Sequence, residues 1–246
     1  MTSTPFKGRA VPSGRLPRLL QMGGFAAGLA RGAASEGVRR LAGGERPALE
    51  DLLVTPANVL RLTERLATMR GAAMKVGQLL SMDAGEVLPP EMAAILARLR
   101  DSAEPMPPRQ LGRTLDAEWG RSWQARFEAF DVHPVAAASI GQVHRARTRD
   151  GREVAVKVQF PGVARSIDSD VDNVAGLMRL SGIVPTSLDV GPLLAEAKRA
   201  LHEEADYLRE GACLRRFAAL LAGDDRFRIP SLHADLSTAR VLVMSW

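Results

Sequence analysis

The stretch from Ile140 to Gln159 constrains the chain most. Val143-His144-Arg145-Ala146 and Val154-Ala155-Val156-Lys157-Val158 are two strand-like runs, and Asp150-Gly151 lies between them. An Asp-Gly pair between such runs is a hairpin signal, because glycine accepts the left-handed backbone that tight hairpin turns demand. An antiparallel sheet is therefore expected. The second run ends on a lysine among apolar neighbours, where a charge is costly unless it is paired. The fold must supply an acid for Lys157.

The richest source of acids is the helical pattern over 192–221, where Leu193, Leu194, Ala197, Leu201, Ala205, Leu208 and Ala212 mark an apolar side. It carries Glu203-Glu204-Ala205-Asp206-Tyr207-Leu208-Arg209-Glu210. Asp206 and Glu210 are like charges four apart, and Glu204 lies beside Leu201 and Leu208, so specific pairing is expected for these three. Glu203 reads better as solvated or paired with Lys198, Arg199 or Arg209. A second lysine asks the same question. In Met74-Lys75-Val76-Gly77-Gln78-Leu79, Lys75 and Gln78 lie beside a helical stripe of Leu62, Leu66, Met69, Ala73, Val76 and Leu80. On pattern alone, Lys75 could snorkel at the edge of a core helix. The surplus acids favour a buried partner, Glu204 or Asp206.

The rest of the chain is read as follows. The net charge of +5 is localised: residues 1–47 hold eight basic and two acidic residues, and the remainder is close to neutral. This arm reads as flexible. Its Gly/Ala-rich segment 19–43 allows contact with an anionic membrane surface but has no uninterrupted apolar stretch long enough to span one. A near-neutral body with 4% aromatics argues against nucleic acid as a partner. The lone Cys213 excludes an internal disulfide and a cysteine-rich zinc site. Helices are expected over 55–83, 91–100 and 109–119. Strands are expected around Arg228-Ile229-Pro230 and over 239–244. Asp168, Asp170 and Asp172 lack the glycine and closing glutamate of a calcium loop, so they read as a solvated helix start.

Strand, loop, strand, lysine strand, helix with a pairing glutamate and two further strands follow the order of a protein-kinase N-lobe. The loop reads Ala136-Ala137-Ala138-Ser139-Ile140-Gly141-Gln142-Val143 where a kinase has glycines. With the Lys75-x-Gly77-Gln78 and Glu204-x-Asp206 motifs, residues 50–246 resemble the UbiB/AarF atypical kinase-like family, which supports ubiquinone biosynthesis. The resemblance implies an α+β fold, namely a kinase-like N-lobe of antiparallel sheet plus long helix, preceded by an α-helical extension. The expected divisions are a basic arm (1–47), a helical extension (48–125) and an N-lobe (126–246) that reaches the hinge with no C-lobe following.

The resemblance also implies ATP as the ligand. Lys157 is the phosphate-binding lysine, Glu210 its positioning glutamate, and Ala136, Ala137, Ala138 and Ser139 the nucleotide loop, with Val143 and Met244 lining the site. Lys75, Gly77, Gln78, Glu204 and Asp206 become regulatory residues covering it. Magnesium is expected only with a C-lobe, which would carry the catalytic aspartates, so no catalytic residue is assigned. His233-Ala234-Asp235 precedes the last strand and is rejected as a catalytic loop. A cytoplasmic location, with peripheral membrane contact and a lipid or quinone-precursor partner, is implied. The alternative is a non-catalytic regulatory or scaffold module on the same fold.

Overall fold

The structure is a computed structural model. It describes residues 105–180 and 189–246, together with isolated positions between 31 and 43 and between 71 and 79. The chain divides into two compact units, one containing residues 104–164 and 200–246, the other containing 12–103 and 165–199.

The first unit is built on a five-stranded antiparallel sheet. Helix α1 (Pro108–Trp119) and a 3-10 turn (Trp123–Arg126) lead into β1 (Phe127–Phe130). Then come β2 (Ala136–Ala137), β3 (Gly141–Thr148) and β4 (Glu153–Gln159), and the last strand is β5 (Val241–Ser245). The sheet order is β1-β3-β4-β5, with β2 pairing the other half of β3. The hairpin between β3 and β4 turns at Gly151, whose φ of 88° is open to glycine and strained for other residues.

Strand alternation gives the sheet two faces. Val154, Val156 and Val158 of β4 and Val241 and Val243 of β5 point to one face, into a core with Leu111, Leu115 and Trp119 of α1. Trp119, Trp123, Phe127 and Phe130 extend that core as an aromatic chain, with ring centroids 5.0–6.1 Å apart. The indole N–H of Trp119 donates to the Leu236 carbonyl at 2.8 Å, so the buried ring leaves no donor unmet. Polar residues on this face are also satisfied. Gln142 accepts from the Met106 amide at 2.7 Å and donates to His144 Nε2 at 2.9 Å, and His144 Nδ1 reaches the Asp131 carbonyl at 2.8 Å. A carbonyl only accepts, so the Nδ1 proton belongs to that bond and the imidazole is neutral. Burial pushes His144 below its ordinary value, against the opposing pull of the Asp131 carbonyl.

The other face carries Val143, Ala155, Lys157, Leu242 and Met244, and is partly covered by helix α4 (Tyr207–Leu220). Gly211 lets α4 approach closely: a methyl group there would stand 3.1–3.5 Å from Leu232 and Leu242 side-chain atoms.

Two expectations are corrected. The helical pattern over 192–221 is broken: α3 (Gly191–Glu204) stops and α4 starts at Tyr207. The break has a tertiary cause. Gln159 donates its side-chain amide to the Ala205 carbonyl at 2.9 Å, and the Asp206 carboxylate caps α4 by accepting from the Arg209 amide at 3.0 Å. The restart also resets the helix phase. Ala197 and Leu201 stay buried, but Leu208 is 60% exposed and Tyr207 and Gly211 form the buried side instead. The strand expected at 228–230 is not formed: Pro230 has no N–H to give a ladder, and the pairing nearby is a single bridge two residues later, between Leu232 and Met244. The helix expected over 109–119 is present as α1, one residue longer.

In the second unit, α2 (Val163–Leu180) carries most of its length and α3 begins. Asp172 of α2 pairs with Lys198 of α3 at 2.6 Å, and Asp170 accepts from Ser166 at 2.7 Å. Gly71, Ala72 and Ala73 are helical and buried, Lys75 is half-buried and Val76 is buried. Leu79 is helical and half-buried; the rest of the 55–83 pattern, the helix expected over 91–100 and most of the arm expected over 1–47 lie outside the described residues. No helix among the described residues is long and apolar enough to cross a membrane.

Candidate nucleotide site

Cross-strand register gathers the sequence-selected residues. Ala136 pairs with Val143, Val143 with Lys157, and Lys157 with Leu242, so one row crosses the sheet on the α4 face. Ala155 pairs with Met244 in the adjacent row. Val143, Ala155 and Met244 are half-buried, and Ala136 and Ala137 are exposed. This part of the face is walled by small or flexible side chains and is not closed by α4.

Lys157 stands in this row between Val143 and Leu242. Its Nζ donates to both oxygens of Glu210, at 2.8 and 2.9 Å, with 14% of the lysine side chain exposed. A bidentate, partly desolvated contact fixes the ammonium more firmly than a surface pair would. The first turn of α4 makes this possible. Asp206 caps the helix and Glu210 follows four residues later, directed at β4. Tyr207, between them, lays its ring under the ammonium, 4.8 Å from Nζ to the ring centre. Its hydroxyl is buried, and burial, then the charges of Glu210 and Glu204, push its ionisation well above the usual tyrosine range.

The loop is held as well. The Ala138 amide donates to the Gly141 carbonyl at 2.8 Å, closing the turn between β2 and β3. Ile140 is fully buried and anchors it. The Ser139 hydroxyl donates to the Glu204 carboxylate at the end of α3. Glu204 therefore finds a partner in the alanine-rich loop, and Asp206 finds one in its own helix. Glu203, read as solvated or paired with a local base, meets Arg209 at 3.1 Å.

Lys75 belongs to the other unit. There its charge helps hold the Glu196 carboxyl low, after the larger effect of the Arg199 guanidinium bonded to it. Gly77 and Gln78 lie outside the described residues. His233 and Asp235 are tied to the β3–β4 hairpin by Arg152, at 3.2 Å to His233 Nδ1 and 3.0–3.2 Å to the Asp235 carboxylate. Among the described residues no group of three or more His, Cys, Asp and Glu is arranged to hold a metal ion.

Sequence reasoning missed Tyr207, Gln159 and Gly141. Tyr207 is the chain's single tyrosine, in the middle of the acidic segment, and its neighbour Asp206 is a strong helix-capping type. Those two facts together could have placed a helix start there and a ring beside the acids.

An antiparallel sheet whose central strand presents a lysine to a helix glutamate defines a protein-kinase-like N-lobe. The family described as the ABC1 atypical kinase-like domain matches residues 98–246. The chain belongs to that family. It is 40% identical over 239 residues to the protein named "Atypical kinase COQ8, mitochondrial" of Saccharomyces cerevisiae, covering 97% of this chain and 48% of that one. It is 42% identical over 238 residues to "Atypical kinase COQ8B, mitochondrial" of Rattus norvegicus, covering 96% and 45%. The chain thus spans just under half the length of these two relatives. The solved Rv3197–erythromycin complex of Mycobacterium tuberculosis matches with a TM-score of 0.46 and 37% identity, covering 74% of this chain and 46% of that one.

Proposed function

We propose that this chain supplies the ATP-binding N-lobe of an atypical kinase or ATPase that supports quinone-lipid synthesis. The observation that carries the reading is the Lys157–Glu210 pair, in cross-strand register with Val143 and, through it, with Ala136 of the alanine-rich loop. An ammonium has three N–H donors. Two are directed at Glu210, which leaves one for a ligand. The positive charge favours a phosphate there, and Glu210 keeps it from wandering. Alanines at 136–138 stiffen the loop relative to glycines, and the Ser139–Glu204 bond ties it to the end of α3. Val143, Ala155 and Met244 offer an apolar surface suited to a flat base. ATP brings the transferable phosphoryl group; the described residues bind and orient it.

The regulatory assignment of Lys75, Gly77 and Gln78 rests on the motif resemblance. The division into arm (1–47), helical extension (48–125) and N-lobe (126–246), and a lipid or quinone-precursor partner at a membrane surface, rest on the same ground. The relatives' names place those proteins in mitochondria, and of the location reading we retain peripheral contact with a membrane surface.

Titration of the purified chain with a non-hydrolysable ATP analogue tests the reading. Binding that is lost in Lys157→Ala is the expected result. A wild-type chain that binds no nucleotide while folding normally favours the scaffold alternative.

A further inference from the structure

Tyr207 is placed too deliberately to be packing alone. It is the largest fully buried side chain among the described residues, 1% exposed. Its hydroxyl has no hydrogen-bond partner among the described residues, and a buried hydroxyl left unmatched is costly. It is the ring, and not the hydroxyl, that meets Lys157. The ring face lies 4.8 Å from Lys157 Nζ. The hydroxyl end extends to β3. A methyl group on Gly141 would stand 2.8 Å from the Tyr207 oxygen and 2.6 Å from the Val158 carbonyl oxygen. Gly141, in the alanine-rich loop segment, is thus the notch that admits the ring.

Tyr207 and Glu210 are three residues apart on the first turn of α4, so they share a helix face. The carboxylate grips the ammonium by hydrogen bonds and the ring supports it by its negative π-face. The carboxylate holds the ammonium from one side and the ring from another. The ring does so without neutralising the charge.

We propose that Tyr207 is a positioning residue that holds the Lys157 ammonium for a phosphate ligand through its aromatic face. The inference rests on the nucleotide reading given above and deepens it. It requires that weakening the ring's π-face, at nearly constant shape, weakens the grip on phosphate and not on the base.

The test replaces Tyr207 in the full chain by phenylalanine and then by phenylalanines carrying one, two and three ring fluorines, which drain the π-face stepwise. Tyr207→Leu is the non-aromatic control. Affinities for ATP and for adenosine are measured side by side. Phenylalanine should keep wild-type ATP affinity. Trifluorination should weaken ATP roughly threefold to tenfold, the range expected for a partly desolvated cation–π contact, and leave adenosine unchanged. Flat ATP affinity across the series, or parallel loss of adenosine, overturns the proposal. A second readout needs no nucleotide. The ε-methylene protons of Lys157 should be shifted upfield by the ring in wild type and Tyr207→Phe, and return to the ordinary lysine position in Tyr207→Leu. Absence of that shift in the wild type overturns the placement itself. A chain that shows the shift but binds no ATP sinks the nucleotide reading, and with it the phosphate role, while retaining the lysine contact.

Discussion

Lys157 and Arg152 stand five residues apart on and beside the same strand, and each faces carboxylates at hydrogen-bond distance. They do different work. Arg152 is 33% exposed and shared among Asp150, Asp235 and His233, so its guanidinium is spent on closing the β3–β4 hairpin against the segment before β5. Lys157 is 14% exposed, meets one carboxylate, and lies in register with Val143 and Ala136. An ion pair therefore does not mark a site by its geometry. What marks it is a desolvated charge with donor capacity left over, set in register with the alanine-rich loop.

The sharpest way to break this comparison is through the glycines at the two places. Gly141→Ala drives a methyl group against the Val158 backbone and the Tyr207 hydroxyl, and the backbone cannot give way cheaply. A loss of about 1–3 kcal/mol in denaturant unfolding is expected, with nucleotide affinity falling as well. Gly151→Ala meets open space and suffers only from its positive φ, so it should cost about 1 kcal/mol and leave affinity alone. Equal effects on affinity would erase the distinction between the two places.

Glu210→Gln keeps the shape of the pair and removes its charge. ATP-analogue affinity should fall roughly tenfold, about 1.4 kcal/mol, because the ammonium loses its fixed orientation. The matching change at the hairpin, Asp235→Asn, should leave that affinity unchanged. Calorimetric titration of both variants decides the matter. An affinity loss in Asp235→Asn of the same size would mean that both pairs act only through overall stability.

Much of this contrast was legible in the sequence, for identifiable reasons. Asp150-Gly151 fixed the hairpin because turn chemistry is local, and α1 followed from its own periodicity. Lys157 announced a need for an acid because a charge in a β-branched run is costly wherever the strand is placed. The break between α3 and α4 was not legible. Glu204 and Ala205 suit a helix interior, and the break depends on Gln159, 46 residues away, taking the Ala205 carbonyl. Once that break was missed, the apolar stripe was continued through Leu208, and Tyr207 was assigned no role. The partner of Glu204 was also out of reach, since Ser139 lies 65 residues away along the chain.

Burial against pairing can be separated further by pH. His144, on the back of the sheet, is a buried neutral group held below its ordinary value of 6.5. The unfolded chain binds its proton more readily than the folded one. Stability is therefore complete above about pH 6.5 and declines as pH falls from there toward the lower folded value, with a slope of at most about 1.4 kcal/mol per pH unit. Unfolding measured at pH 7.5 and 5.5 should show this decline in the wild type and a smaller one in His144→Asn. An unchanged pH dependence in the variant would place the titration elsewhere.

The smallest effect belongs to the hairpin carboxylates. Hydrogen bonds from Arg152 and then Thr148 hold Asp150 down at about 2, and Arg152 holds Asp235 below its ordinary value too. Both groups favour the ionised form in the fold. Their contribution is present above the unfolded value near 3.8 and is lost as pH falls toward 2. The window thus lies well below that of His144. Asp150 and Asp235 are exposed, so solvent and salt screen most of what the shift represents. Acid unfolding of Arg152→Gln should begin at slightly higher pH than in the wild type at low ionic strength, and the difference should vanish in molar salt. A difference that survives molar salt would show that Arg152, like Lys157, works out of reach of solvent, and the two cations would no longer stand apart.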